Sequence, residues 1–396
     1  MREIMDLIVP HVNHWSQLFV ESTSFEAIHH MLLRLSSIES GAPRLELIHI
    51  GFSDESDIDS FETTEFPSEF RDGLKPFAGN LPALQELSLW EVHFDWSIFV
   101  PSPGRHSITN LRALELRYHT GDVRPSFDEF RACLLGSPKL ESLVLFASAP
   151  RYFPEIVETR WHNDRIQLNH LVELTLATLS PRNIIALLRT LVMPSLRRLT
   201  VEWDEEDYTD AIIQLTAKDP DLVDSSGKNE YSIASRLVYL KLGSLSCSDD
   251  SLRQLYAQLN NVETMDLNMN FVPLHAGHLL VHAPTSGETA PGLKAPPTST
   301  SLYCPKLRKL MVSGVKAYNL CMLAERRAAE GYPLEELYLD KNIPLDEMSV
   351  ATLQKSVPFV GFVEYSDEEI WEEEEEDDDD DDDDGDDDGE EEGEEV

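Results

Sequence analysis

The feature that most constrains the fold of this chain is a short apolar motif, L-x-x-L-x-L, that recurs along most of its length. One copy is SPKLESLVL at 137–145, where Leu140, Leu143 and Leu145 fill the apolar positions. Nine further copies have their first positions at Leu45, Leu84, Leu111, Leu171, Leu196, Leu237, Val262, Leu307 and Leu334. WSQLFV near residue 15 is a degenerate eleventh copy. The shorter spacings run from 25 to 31 residues, at or just above the roughly 20 to 29 residues of a leucine-rich repeat.

The motif has a direct physical meaning. Side chains alternate between the two faces of a strand, so Leu143 and Leu145 point to the same face. One strand cannot bury that face alone, whereas strands of successive repeats stacked side by side share a continuous core. Neighbouring parallel strands need a crossover of roughly a dozen residues or more, usually a helix. The spacing between motifs leaves room for such a crossover.

The segments between motifs carry helix signals. In SDDSLRQLYAQLNN at 248–261, the apolar residues at i, i+3, i+4 and i+7 are Leu252, Leu255, Tyr256 and Leu259. Serines that can cap a helix precede four segments: Ser24, Ser126, Ser180 and Ser248. Ser126 and Glu129 predict a capping box, and Pro181 suits the first helical position. These alternating elements predict an α/β leucine-rich-repeat solenoid, or horseshoe, with a parallel sheet on its concave side.

Three long spacings predict inserts within this solenoid, which we expect to span 1–363 with ten or eleven irregular repeats. The inserts lie near 53–72, 202–232 and 283–301. The first two are acidic in whole or in part, and the third is rich in Pro, Ser, Thr and Gly. Inserts of this kind map to loops on one face of a repeat protein and are sometimes its binding element.

The charge of the chain is concentrated at its C-terminus. The formal net charge is −41, and 25 of the 73 acidic residues lie in 364–396, a segment without lysine or arginine. Repulsion between neighbouring carboxylates and a lack of apolar residues predict a disordered Asp/Glu tail. Two interpretations of the tail remain open, a solubilising segment and a binding arm for basic proteins. Direct binding of nucleic acid is disfavoured because phosphates are repelled.

Other features indicate where the protein works. There is no apolar run of about 18 residues, so no membrane span is expected. The start of the chain lacks the basic flank and apolar block of a signal peptide. The four cysteines are scattered, which favours a reducing compartment. A cytoplasmic or nuclear location is therefore expected.

No pattern in the chain predicts catalysis. There is no G-x-S-x-G, glycine-rich phosphate loop or H-E-x-x-H. His275, His278 and His282 in HAGHLLVH resemble a metal site on one helical face, but no cysteine or carboxylate partner lies nearby. We therefore expect no enzyme activity, no metal and no cofactor.

One row of outward residues predicts a binding surface. The residue after the last leucine of each motif faces away from the core, and successive repeats place these residues side by side. The row is Trp90, Arg117, Phe146, Ala177, Glu202, Gly243, Asn268, Ser313 and Asp340. Trp90, Arg117 and Phe146 would form one patch of the residue types that dominate protein interfaces. The alternative is that the 53–72 insert, with Phe61, Phe66 and Phe70, folds over this patch and covers it.

The chain also resembles a known family. The runs LSLWEVHFDWSIF at 87–99 and LRALELRYHTGDVRPSFDEFRACLLGSPKLESLVL at 111–145 resemble the repeat region of the F-box/leucine-rich-repeat proteins of mushroom-forming fungi. HVNHWSQLFV resembles the stretch that follows the F-box, and VPFVGFVEY resembles the closing strand. The resemblance covers about residues 10 to 365.

The resemblance implies a protein-recognition module that recruits substrates to a cullin-type ubiquitin ligase. An F-box, which binds a Skp1-type adaptor, is not expected because there is no room for one before Trp15. No residue is therefore assigned to adaptor binding. The alternative comes from the acidic leucine-rich nuclear phosphoproteins, which join a horseshoe to an Asp/Glu tail and act as histone chaperones. Their repeats end L-x-x-N, which only Asn270 and Asn342 complete here.

Overall fold

Twelve strands form one parallel sheet. The structure, a computed structural model, describes residues 2–52, 66–104, 106–151, 165–202, 206–223, 230–244, 246–268 and 302–363. The sheet strands are β1 Gln17–Ser22, β2 Leu47–Phe52, β3 Glu86–Trp90, β4 Ala113–Arg117, β5 Ser142–Phe146, β6 Glu173–Ala177, β7 Arg198–Glu202, β8 Tyr239–Gly243, β9 Thr264–Asn268, β10 Lys309–Ser313, β11 Glu336–Asp340 and β12 Phe359–Val363. Each strand pairs with the next along the chain. The leucine-rich-repeat solenoid predicted from the motif is confirmed.

The register of the sheet follows the motif. Leu87 of β3 pairs with Leu114 of β4, which pairs with Leu143 of β5. All three leucines of each of these motifs are buried, and Leu143 and Leu145 are 0 % exposed. All ten predicted copies form strands, and the degenerate copy near residue 15 forms β1. β12 lacks the motif, so the sheet has one strand more than the leucine pattern predicts.

Helices lie on the core side of the sheet. They are α1 Arg2–Ile8, α2 Phe25–Ser36, α3 Phe127–Gly136, α4 Pro181–Thr190, α5 Thr209–Thr216, α6 Asp249–Gln258, α7 Ala317–Ala329 and α8 Glu347–Ser356. The four predicted serine caps are confirmed, because each side chain accepts a hydrogen bond from a backbone N–H of the first turn. The capping box of Ser126 and Glu129 is complete. Among the described residues, no helix has the length and apolarity that crossing a bilayer requires.

A left-handed residue follows many of the strands and turns the chain towards the helix side. Residues of this kind, with φ between 48° and 66°, are Glu91, Tyr118, Ala147, Thr178, Ser244 and Gly314. The backbone N–H of Tyr118 donates to the Phe146 carbonyl at 2.9 Å, and that of Thr178 donates to the Glu202 carbonyl at 3.0 Å. The turn therefore extends the hydrogen bonding of one strand onto the end of the next.

The predicted insert at 202–232 is not a simple loop, and that expectation is corrected. Part of it is α5, which packs between α4 and α6. The buried apolar side chains before and within α5 are Tyr208, Ala211, Ile212 and Leu215, at i, i+3, i+4 and i+7. Asp219–Val223 and Glu230–Tyr231 then form a two-stranded antiparallel sheet. The acidic residues at the start of the segment are typical of a loop, but the helix that follows them contributes to the core.

Several other predictions fall outside the described residues. These are the insert at 283–301, the first part of the 53–72 insert, the histidines of HAGHLLVH and the Asp/Glu tail at 364–396.

Candidate functional site

The face of the sheet opposite the helices, here called the open face, carries three outward residues from each five-residue strand. In the row at the strand ends, Trp90 pairs with Arg117 and Arg117 pairs with Phe146. The structure therefore brings together the three residues that the sequence places in one patch. All three side chains are partly exposed.

Arg117 lies between two aromatic rings. Its guanidinium carbon is 4.7 Å from the centroid of the Trp90 ring and 5.5 Å from that of Phe146. A cation within about 6 Å of a ring centroid is attracted by the π-system. The two rings also restrict the rotation of a side chain that is otherwise long and mobile, so the cation is held in place.

A line of hydrogen bonds along the middle row of the open face fixes Arg117 further. Its Nε donates to Glu115 Oε1 at 2.5 Å. The Ser88 hydroxyl donates to Glu115 Oε2 at 2.9 Å and lies 3.0 Å from His49 Nδ1. His49 Nε2 is 3.3 Å from Glu21 Oε1. One chain of polar contacts thus crosses four strands, from β1 to β4.

His49 also joins the aromatic residues. Phe19 stacks on its ring with a centroid distance of 4.3 Å and an interplanar angle of 9°. Trp90 meets the same ring edge-on at 5.2 Å. We call Phe19, His49, Trp90, Arg117 and Phe146 the aromatic–arginine patch. Phe19 is 64 % exposed, so the patch opens to solvent at the β1 edge of the sheet.

Sequence reasoning missed Phe19, His49, Ser88 and Glu115 as members of this site. It considered only the outward row at the strand ends, whereas these residues occupy the middle row, between the last two apolar positions of each motif. The signal was present, because the period of two that turns the leucines inward turns the residue between them outward.

Most of the predicted row is buried beyond Phe146. Four of its later members are buried, with exposures of 0 to 6 %: Ala177, Asn268, Ser313 and Asp340. Gly243 is buried as well. Two of these buried residues are hydrogen-bonded to each other: the Ser313 hydroxyl donates to Asn268 Oδ1 at 2.7 Å. The row continues in register past β5, with Glu202 partly exposed, and the aromatic and cationic part of it ends at Phe146.

The described part of the 53–72 insert packs elsewhere. The Phe66 ring contacts Phe25 of α2 at 5.3 Å and His93 at 4.7 Å, and the Phe70 ring contacts His29 at 5.0 Å. None of these ring contacts involves the patch. Phe61, the third phenylalanine of that alternative, lies outside the described residues.

A buried histidine supports the turn that follows β4. His119 Nε2 donates to the Val92 carbonyl at 2.8 Å, and the Ser148 hydroxyl lies 3.0 Å from His119 Nδ1. Burial lowers the pKa of His119 to about 3, so its imidazole is neutral. The side chain contacts the repeats before and after its own and holds the turn beneath Arg117.

Groups with reactive chemistry are limited in the described part of the chain. Burial raises the pKa of the Cys133 and Cys304 thiols to about 12, so both stay protonated. No group of three or more His, Cys, Asp or Glu side chains within the described ranges could hold a metal ion. The arrangement in the patch suits binding, through aromatic contact and one oriented cation.

No protein-family model matches this chain, and no curated protein matches it either. Similar solved structures include the yeast complex of Rad7 and Elc1, with a TM-score of 0.40 and 16% identity, covering 87% of this chain and 68% of that chain. They also include the leucine-rich repeat-containing protein LegL7 from Legionella pneumophila, with a TM-score of 0.42 and 13% identity, covering 88% of this chain and 90% of that chain.

Proposed function

We propose that this chain is a non-catalytic protein-recognition module that binds a protein partner through the aromatic–arginine patch. The observation that supports this proposal is the partly exposed Trp90, Arg117 and Phe146 cluster on the open face. Tryptophan and arginine are enriched among the residues that contribute most to protein binding. Phe19, at 64 % exposure beside them, adds apolar surface that binding would bury.

The rest of the open face supports the same choice of site. Lys241 pairs with Glu202, and Lys309 lies 3.3 Å from Glu336. Arg117 is paired as well, with Glu115, but two aromatic rings flank its guanidinium group, whereas Lys309 lies over one ring, that of Tyr338. The patch combines aromatic area with an accessible cation, so it is the better candidate.

The family resemblance makes the role more specific. It implies that the bound protein is a substrate recruited to a ubiquitin ligase; in that family the link is a Skp1-type adaptor bound by an F-box, a module not expected in this sequence. We test this by asking whether a Skp1-type adaptor co-purifies with the full chain and whether loss of the chain raises the level of a bound protein. If neither occurs, recognition stands without the ligase role.

The test of the recognition proposal is a triple variant, Trp90→Ala, Arg117→Ala and Phe146→Ala. We expect the variant to melt within a few degrees of the native protein and to lose partners that native protein recovers from a cell extract, as measured by quantitative mass spectrometry. The matched control is Arg198→Ala with Tyr239→Ala, a cation–aromatic pair of the same face with a distance of 4.4 Å.

Two results would count against the proposal. A large drop in the melting temperature of the triple variant would mean that the patch is part of the core. Equal recovery of partners by native protein, triple variant and control would mean that binding occurs elsewhere.

A second candidate function rests on the 25 acidic residues in 364–396. Such a segment suits a chaperone-like protein that binds histones or other basic proteins. The test is a histone pull-down with the full chain and with a chain that ends at Val363. We expect truncation to abolish histone binding if this candidate is right, and to leave binding through the patch unchanged.

A further inference from the structure

The aromatic–arginine patch contains hydrogen-bond donors without acceptors. Arg117 uses its Nε for Glu115, whereas its two terminal nitrogens have no hydrogen-bond partner in the described ranges. Its side chain is 28 % exposed, so these nitrogens are accessible. The indole nitrogen of Trp90 is buried and also has no partner. The indole nitrogen is out of a ligand's reach, so the accessible terminal nitrogens of Arg117 are the donors that a ligand with hydrogen-bond acceptors can use.

The geometry around Arg117 restricts the kind of acceptor. The rings of Trp90 and Phe146 lie on either side of the guanidinium group, and Glu115 holds it at Nε. The open approach is therefore at the end of the group, where the two terminal nitrogens form a fork. A fork of two parallel N–H donors matches the two oxygens of a carboxylate.

Nearby charges favour a carboxylate over a phosphate. Glu115 is bonded to Arg117, and Glu21 lies 3.3 Å from His49, so each contacts a member of the patch. Repulsion from these carboxylates grows with the charge of the incoming group. A carboxylate carries one negative charge, whereas a phosphorylated side chain carries about 1.5 to 2 at neutral pH.

We propose that the aromatic–arginine patch recognises an aspartate or glutamate side chain that sits among apolar residues in a segment of the partner protein. The carboxylate binds end-on to Arg117, and the flanking apolar residues pack on Phe19, Trp90 and Phe146. The inference rests on the proposed function, because it specifies what the patch of a recognition module binds.

The experiment uses the full chain and three synthetic peptides, Gly-Leu-Phe-Asp-Leu-Gly and its counterparts with asparagine or phosphoserine in place of aspartate, all blocked at both ends. Fluorescence anisotropy gives each dissociation constant. We expect the aspartate peptide to bind about tenfold or more tightly than the asparagine peptide, the effect of one charge-assisted hydrogen bond. In Arg117→Lys, which keeps the charge but loses the fork, we expect this ratio to fall towards one.

Two further variants isolate the cause. Arg198→Lys changes an arginine that also covers an aromatic ring of the open face, at 4.4 Å, and should leave the ratio unchanged. Trp90→Phe keeps a ring beside Arg117 and should also leave the ratio close to that of native protein, because the indole N–H is buried and out of the ligand's reach. Melting curves of all variants show whether the fold is retained.

The outcomes separate this inference from the function on which it rests. If the triple alanine variant loses both peptides but Arg117→Lys keeps the native ratio, the patch binds proteins without reading a carboxylate, and only the inference fails. Tighter binding of the phosphoserine peptide, or no binding of any peptide at millimolar concentration, also overturns the inference. Equal binding of all peptides by native protein and triple variant overturns both.

Discussion

The two halves of the sheet share one scaffold and display different surfaces. β3 to β5 and β8 to β10 have the same parallel register and the same buried apolar positions. The strands of the first set end in Trp90, Arg117 and Phe146, and those of the second set end in a glycine, an asparagine and a serine that are all buried. The core depends on the inward positions alone, so the outward positions are free to specialise without loss of the fold.

The halves also differ in their buried polar groups. Within the described ranges, the buried histidines are His49, His93 and His119, and all lie between β2 and the turn after β4. Burial lowers the pKa of His93 as well as that of His119. As the pH falls, the half of the sheet that carries the patch should therefore lose stability before the other half does.

The largest expected effect tests whether the scaffold is equal in both halves. Leu143→Ala in β5 and Leu240→Ala in β8 each remove a side chain that is 0 % exposed. Each should lower the free energy of unfolding by about 2–5 kcal/mol, through lost burial and the cavity left behind. Chemical denaturation of both variants checks this. A large cost at one site with none at the other would show that the two halves are not built alike.

The next effect tests the difference in acid sensitivity. His119 has a pKa of about 3 in the folded protein and about 6.5 when unfolded, so the unfolded state binds the proton more readily. Stability from this group is complete above pH 6.5 and falls as the pH drops towards 3. By pH 4 the loss should be about 3 kcal/mol. Thermal melts of native protein and His119→Gln between pH 7 and pH 4 measure it.

The variant should melt at a lower temperature than native protein at pH 7, because the Val92 carbonyl and the Ser148 hydroxyl lose a partner. Between pH 7 and pH 4, the melting temperature of the variant should nevertheless fall less than that of native protein. His170→Gln, at an exposed position, serves as the control and should follow the native pH curve. If the melting temperature falls equally with pH in all three proteins, His119 is not the source of the acid sensitivity.

The smallest expected change in stability comes from substitutions at two equivalent turns. Thr178 and Gly314 both follow a strand and have φ of 49° and 66°. A β-branched residue is strained in this region, and glycine is not. Thr178→Gly should raise the free energy of unfolding by up to about 1 kcal/mol, and Gly314→Thr should lower it by about 1–2 kcal/mol. Equilibrium unfolding in urea resolves both, and a change of the same sign in both would contradict the shared turn geometry.

Most of the fold could be predicted because its signals are local. The period of two within the motif locates Leu143 and Leu145 in a strand, and a serine before an apolar helical pattern locates a helix start. β12 has valine and phenylalanine instead of leucine and was recognised only through the family resemblance. In α5 the apolar period is complete from Tyr208 to Leu215, but the acidic residues before it resemble a loop.

The site could be predicted only in part, for a different reason. The neighbours of Arg117 in its own row follow from the spacing of the repeats. The contacts that orient it involve Glu115, two residues away, and a hydrogen-bond line to His49 on another strand. Which rotamer each side chain adopts depends on packing across several strands, and no single repeat contains that information. Burial of the later row members likewise depends on neighbouring strands.

The turn after each strand has a consequence for how such a protein can change over generations. The bonds from Tyr118 to Phe146 and from Thr178 to Glu202 join main-chain atoms only. The hydrogen bonds of such a junction do not involve side chains, so they can form between repeats of different sequence. A gene segment that encodes one repeat could therefore be duplicated or deleted with the adjoining repeats still matched. The chain can lengthen by copying a unit and acquire a new specificity by single substitutions, and the two routes are independent.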